Sequence, residues 1–381
     1  MEELIAIIGA GIGGLTLAAR LEREKIPYRV YEKAPVLGEV GAGLGLWSNA
    51  VLCLEKVGVD GDFWSRSGCE VFRAEMANAE GKILSSCDVR PVAEKVGASS
   101  FVVHRADLHG AIYGQINPES VVTGKKLSGM EEKENGVLLR FSDGSTASAS
   151  MVVGADGLRS QVRAQTFGDE PPRYSGQTCY RGIARLNIEE RHALREIQGR
   201  GLRAAVIPLD DERVYWWTTE NVTEGGRREP RKEKEYLLSN FADWAFGVPE
   251  AIEATDAEAI LRNDLYDRPP LPTWSKGRVT LLGDAAHPTT PNLGQGACMA
   301  IEDGFVLGGL LGEKFDAEAF SEYESLRKDR CEAIVKESRR FGWIGGWENP
   351  AAVKIREFLL ATTPETFVRK SMEKHIAPQG G

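Results

Sequence analysis

Apolar and polar positions follow three rhythms along the 381-residue chain. Near the start, Leu4-Ile5-Ala6-Ile7-Ile8 is an unbroken apolar run, the pattern of a parallel strand buried on both faces. A helical stretch from about Gly13 to Glu24 follows, with Leu and Ala turned to one side, and Tyr28 to Tyr31 reads as a second strand. The middle is rich in short strands. Val71 to Asp88 turns at Asn78-Ala79-Glu80-Gly81, and Val137 to Val153 turns at Ser142-Asp143-Gly144, both hairpin signals. Between them "HRADLHGAIYGQI" places Leu108, Ile112 and Ile116 at helical spacing. Strand-like runs recur at Thr178 to Ala184, Ala204 to Pro208 and Arg213 to Thr219. At Arg278 the first rhythm returns: Val279 to Leu282 predicts a strand that Gly283 ends, and a long helix begins near Gly294.

The pattern predicts an α/β nucleotide domain interrupted by a β-rich insertion and completed late in the chain. The expected limits are 1–70, 100–170 and 275–345 for the first, with 71–99 and 171–274 for the insertion. A C-terminal helical segment covers 346–381.

The turn between the first strand and helix reads Gly9-Ala10-Gly11-Ile12-Gly13-Gly14, a G-x-G-x-x-G. Gly9 permits the tight turn, Gly11 lets backbone approach a pyrophosphate, and Gly14 allows close helix–strand packing. The helix N-terminus offers free N–H groups to phosphate. Glu32, about 20 residues on, suits a ribose diol. Strand, glycines, helix and acid together predict dinucleotide binding, with NAD and FAD both open. A second glycine series, Gly38, Gly41, Gly43 and Gly45, suggests backbone passing close to a flat ligand or to another chain segment. A helix capped near Ser48 or Asn49 and stopped at Gly58 follows it.

Composition narrows the class further. Hydrophobic content of 42% and charged content of 27% are those of a folded globular chain, and the net charge of −9 argues against nucleic acid or an anionic membrane as main partner. No apolar run is long enough to span a bilayer, so no stable membrane insertion is expected. The six cysteines are scattered with no C-x-x-C, which fits a reduced, cytoplasmic protein. Asp284, His287 and Cys298 bring an acid, an imidazole and a thiol into one loop, but a metal would want a further ligand and no cysteine or histidine cluster supplies one. No metal site is expected. "GGRREPRKEKE" (Gly225 to Glu235) reads as a solvated loop and helix start.

Two more strand-to-helix junctions carry signals, "MVVGADGLRSQVR" (Met151 to Arg163) and "GDAAHPTTPNLGQG" (Gly283 to Gly296). Three junctions suit a larger dinucleotide gripped at several points. The ordered set Gly9/Gly11/Gly14, then Asp156-Gly157…Ser160…Arg163, then Gly283-Asp284, resembles the single-component FAD-dependent aromatic hydroxylases. These have the p-hydroxybenzoate hydroxylase fold: a Rossmann-like FAD-binding domain of glutathione reductase type, interrupted by a β-sheet substrate domain, with C-terminal helices. The resemblance spans about residues 4 to 340 and is nearest to the salicylate-hydroxylase-like, urate-hydroxylase-like and zeaxanthin epoxidase-like branch.

The resemblance implies tightly bound, non-covalent FAD, NAD(P)H as a transient co-substrate, and O2 taken up as a flavin C4a-hydroperoxide that hydroxylates or epoxidises an electron-rich aromatic. It implies that Glu32 takes the adenosine ribose, Arg105 approaches the ribityl chain and pyrophosphate, and Asp284 binds the ribityl hydroxyls. The Asp156 motif would serve the flavin side of the pyrophosphate, and Pro291, Gly294 and Gly296 would line the isoalloxazine edge. Cys298 departs from the family, where many relatives have asparagine, and His287 reads as structural. For the substrate, "CYRGIAR", "GLRAAVIPL" and "RVYWWTTEN" offer Arg181, Arg203, Tyr215 and Trp217; by alternation Tyr215 and Trp217 share a face and Trp216 takes the other. A flat apolar face with an arginine suits an aromatic acid or enolate, and no catalytic base stands out. The alternative is an FAD-dependent reductase of the same fold that inserts no oxygen. Either would be a monomer or homodimer.

Overall fold

The computed structural model describes residues 4–38 and 41–376. Its first sheet has six strands, in the order Ser275–Lys276, Val279–Leu281, Met151–Gly154, Ile5–Ile8, Tyr28–Tyr31 and Val121–Val122. All neighbours run parallel except the short Ser275–Lys276 edge. Ile5–Ile8 and Met151–Gly154 are buried along their whole length, which is why they read as unbroken apolar runs. The Ile12–Glu24 helix packs on the late Gly296–Glu313 helix at a contact that only glycine permits: a Cβ on Gly304 would lie 2.8 Å from the Gly13 carbonyl oxygen.

The second large sheet has seven strands: Leu261–Asp267, Arg173–Arg185, Arg213–Asn221, Leu202–Pro208, Ala193–Gln198, Arg73–Asn78 and Ile83–Asp88. Its two faces have different fates. Tyr180, Val206, Val214 and Trp216 face the helices Pro230–Phe241 and Val248–Glu253 and form one core with Leu237, Phe241 and Ile252. Trp216 donates its indole N–H to Thr255 at 2.8 Å, satisfying the polar handle of a fully buried ring. Ala205, Ile207 and Tyr215 face the other way, with Ala42, Val71 and Val102. A small sheet of Gly43–Leu46, Phe101–His104 and Gly68–Glu70 contributes to that second cluster through Val102.

The expected elements are present, with three differences. The long helix starts at Gly296, not Gly294, because Gly294 takes a left-handed φ of 62° that a helix cannot include. Ala193–Gln198 carries helix-favouring residues yet forms a strand, paired in parallel to Arg73–Asn78 along six residues. Leu261–Asp267 likewise becomes the edge strand beside Arg173–Arg185. The chain ends in two helices, Pro350–Thr362 and Glu365–Ile376.

Candidate functional site

The three glycine-bearing junctions come together because their strands are neighbours. Ile8 pairs with Gly154, and Gly154 with Leu281, so all three strands end side by side at one edge of the parallel sheet. Their exits are laced: Gly9 N–H donates to the Tyr31 carbonyl (2.8 Å), Ala155 N–H to Ile8 (2.8 Å) and Leu282 N–H to Gly154 (2.9 Å). Ligands of open α/β sheets bind at this edge.

Each glycine of the first junction has a distinct reason. Gly9 has φ 109°, and a Cβ there would lie 2.5 Å from the Ala155 carbonyl oxygen. On Gly14 a Cβ would come within 2.2 Å of the Gly9 carbonyl oxygen. On Gly11 it would meet no protein atom within 4 Å. The first two glycines are demanded by the fold; Gly11 keeps a groove open. Neither the Ile12–Glu24 helix nor the Gly296–Glu313 helix has a side-chain cap at its N-terminus, so first-turn N–H groups face outward for an anion or a polarised ring. Glu32 holds the rim, accepting from Ala10 N–H and Ala34 N–H at 2.8 Å each.

Asp284 stands in the cleft beyond these strand ends with open side-chain surface. Desolvation by the surrounding protein lifts its carboxyl above the ordinary range, against the opposing charges of His287 and Arg105. Arg105 begins the Arg105–Tyr113 helix, and its N–H reaches the Ala42 carbonyl. Asp156 has a structural task at the second junction. Its carboxylate caps the Gln161–Phe167 helix, accepting from Gln161 N–H (2.6 Å), Val162 N–H (3.2 Å) and the Ser160 hydroxyl. It thereby shapes the second junction. Arg163 of the same motif, buried, donates to the Ala285 and Ala286 carbonyls at 3.1 Å and so ties the second junction to the third.

His287 and Cys298 leave the cleft. The Cys298 sulfur accepts from Trp47 N–H at 3.5 Å, and burial pushes its thiol up to about 12, too high for a nucleophile. His287 pairs with Asp303 at 2.6 Å; Asp303 also accepts from Gly283 N–H (3.1 Å) and Arg327 (2.9 Å). Arg327 and Arg330 share Glu302 (2.8 and 2.9 Å), completing a buried ion network behind the third junction. No cysteine or histidine cluster is visible along the chain, but Cys331 folds beside His287 and Asp303, with potential ligand atoms all within 4.8 Å of one another. Both Asp303 oxygens are already engaged by His287, Arg327 and Gly283, which makes the set an ion-pair network rather than an open metal site.

The strand register puts Arg181 and Ala205 opposite Trp217, and Ile183 and Ile207 opposite Tyr215, on the sheet face turned away from its helices. Tyr215 lies against Gly43, where a Cβ would be 2.2 Å from the ring. Two glycines of the second series accommodate protein, Gly41 against His104 and Gly43 against Tyr215, whereas a Cβ on Gly38 would meet nothing within 4 Å. Burial raises the Tyr215 hydroxyl above its usual range while Arg181 works to lower it, so the phenol is neutral. Arg203 shares the face but is buried and committed, donating to Thr219 (3.1 Å), Gln177 (3.2 Å), Glu196 (3.5 Å) and Asn292 (2.6 Å). Asn292 sits in the Pro291–Leu293 turn, so Arg203 bolts the sheet to the loop that precedes Gly294. Trp47 completes the junction: its indole N–H reaches the Leu293 carbonyl (3.3 Å), and its ring packs on the Tyr215 cluster. Trp47 and Asn292 carry no motif and are visible only in the fold.

A family model described as "FAD binding domain" matches residues 3–338. Aurachin C monooxygenase/isomerase of Stigmatella aurantiaca is 39% identical over 358 residues, covering 93% of both chains. The crystal structure of Klebsiella pneumoniae HpxO complexed with FAD and uric acid superposes with a TM-score of 0.91 at 30% identity, covering 98% of this chain and 96% of that one. The chain belongs to the FAD-dependent aromatic hydroxylases. It is an FAD-dependent monooxygenase, and such relatives support oxygen insertion over the reductase alternative.

The residues of this hydroxylase fit its cofactor. The Gly11 groove, the uncapped helix starts and the cleft-facing Asp284 beside Arg105 form a continuous set at one sheet edge. When bound, FAD would supply the redox chemistry, with NAD(P)H as co-substrate. No helix among the described residues is long and apolar enough to cross a membrane.

Proposed function

We propose that the hydroxylase inserts one atom of O2 into an oxo-substituted nitrogen heteroaromatic ring bearing an apolar substituent. NAD(P)H and a proton reduce the second oxygen atom to water. The observation that carries this reading is the single sheet face on which Ile183, Ala205, Ile207 and Trp217 surround one polar end, Tyr215 with Arg181. An apolar wall excludes water and packs on a flat ring. The neutral Tyr215 phenol donates to an oxo group, and Arg181 beside it stabilises negative charge developing there as the ring is attacked. No side chain need remove a proton if the ring arrives as its enolate.

The names of relatives support this class. 2-heptyl-3-hydroxy-4(1H)-quinolone synthase of Pseudomonas aeruginosa, 32% identical over 96% of both chains, is named for an alkylated oxo-heteroaromatic, and HpxO was crystallised with uric acid. On this reading the six-stranded sheet, drawn from 1–70, 100–170 and 275–345, holds FAD. Gly9, Gly11, Gly14 and Glu32 would take its ADP half, and Arg105 and Asp284 the ribityl chain. Pro291, Gly294 and Gly296 would edge its ring. The seven-stranded sheet, from 71–99 and 171–274, is the substrate wall, and Arg203 is a positioning residue acting through Asn292.

The test is NAD(P)H oxidation with a 2-alkyl-4-quinolone, urate and a hydroxynicotinate compared side by side. The alkylquinolone is expected to stimulate most and to yield a product heavier by one oxygen. Trp217→Ala should raise its KM by about tenfold, the effect of losing an aromatic packing partner of about 1–1.5 kcal/mol. Stimulation by urate with none by the alkylquinolone would overturn the apolar-substituent reading.

A further inference from the structure

We propose that the two C-terminal helices form a docking surface for an anionic lipid bilayer. The Pro350–Thr362 helix is fastened on one side by Val353 and Arg356, both buried; Arg356 donates to the carbonyls of Ile344 (3.2 Å), Gly345 (2.9 Å) and Gly199 (2.7 Å). Its other side presents Lys354, Ile355, Phe358 and Leu359, whose spacing puts them on one helical face. Phe358 is 67% exposed, with Ile355 and Leu359 over half exposed. The Glu365–Ile376 helix repeats the arrangement. Ile376 is buried, while Phe367, 68% exposed, shares a face with the exposed Lys370 and Lys374.

Large apolar side chains flanked by lysines are what an interfacial helix offers a membrane: apolar groups for the acyl boundary, ammonium groups for phosphate. Two of the three acids of these helices are paired, Glu373 with Lys95 (3.1 Å) and Glu365 with Arg369 (3.7 Å), which leaves Glu357 against Lys354, Lys370 and Lys374, none of them in a salt bridge among the described residues. The net charge of −9 does not prevent docking, because charges beyond about 10 Å are screened and the nearest charges decide.

The docked surface connects with the site. Met372, on the same terminal helix, packs against the apolar cluster that contains Tyr215, on which Trp217 also packs. The docking does not depend on the substrate reading above.

The test is co-sedimentation of the full-length, FAD-loaded protein with vesicles of phosphatidylcholine alone and of phosphatidylcholine mixed with phosphatidylglycerol. Binding is expected to the mixed vesicles only, and to weaken in high salt. Phe358→Ser/Phe367→Ser and Lys370→Glu/Lys374→Glu should each lower the bound fraction by about tenfold, with flavin content unchanged. Three results would overturn the proposal: no binding to the anionic vesicles, binding that both variants retain, or a dimer in solution that Phe358→Ser/Phe367→Ser converts to monomer. Flavin content and oxygenation of a water-soluble substrate are read without vesicles, so a failure of the functional reading shows up separately.

Discussion

Gly14→Ala is expected to purify colourless and less stable, whereas Gly11→Ala should purify colourless and equally stable. The contrast follows from what each added methyl meets. On Gly14 it would lie 2.2 Å from the Gly9 carbonyl oxygen, a backbone atom of a residue whose N–H is tied to the Tyr31 carbonyl. The helix must then back away from the turn, at an overpacking cost of about 1–3 kcal/mol, and the phosphate-facing N–H groups move with it. On Gly11 the methyl meets no protein within 4 Å, so the fold tolerates it. It instead fills the groove through which a pyrophosphate passes. FAD affinity by fluorescence titration, with thermal melts of both apoproteins, separates the cases. Equal FAD affinity in Gly11→Ala and wild type would mean that the cofactor's phosphates lie elsewhere.

Arg327→Met should lower stability by about 3–5 kcal/mol, the usual cost of leaving buried charge without its partner. Arg327 is fully buried between Glu302 and Asp303, and Asp303 in turn fixes Gly283 N–H, the residue before Asp284. The third junction should therefore loosen, and FAD binding weaken with it. Pairing this change with Asp303→Asn should cost less than the sum of the two alone, because one network is being removed. The same network sets a pH window. His287 and Arg327 hold the Asp303 carboxyl down at about 2 against its burial, so its contribution is present above about pH 4 and is lost as pH falls through about 2. Burial opposes the charge on His287, but Cys331 and Asp303 raise its pKa well above 6.5. Its contribution is full below about pH 6.5 and fades as pH rises through the folded value. Chemical denaturation across pH should show this alkaline decline in wild type and a flatter limb in His287→Gln.

What the sequence discloses follows from which interactions are local. The Gly9–Gly14 turn is legible because strand, turn and helix are consecutive and each glycine answers a backbone demand nearby. Tyr215 and Trp217 are correctly paired on one face because alternation is a local rule. Arg203 is visible as a residue but not in its role, since its partners Gln177, Glu196, Thr219 and Asn292 arrive from four segments. Asp156 is the opposite case: its motif is plain in the sequence, but the capping of the helix that starts five residues later is visible only in the fold. The strand Ala193–Gln198 gives no local signal, because pairing with Arg73–Asn78 overrides the preference of its residues.

The central claim is that this chain inserts dioxygen-derived oxygen into an aromatic ring held against the Tyr215–Trp217 face. The direct measurement is turnover of an alkylquinolone with NAD(P)H under isotopically labelled O2, with the product analysed by mass spectrometry. The account predicts one labelled oxygen atom in the product ring and none when the label is in water. Consumption of NAD(P)H with all of the label recovered in hydrogen peroxide, and the ring unchanged across quinolone, purine and hydroxypyridine substrates, would contradict it.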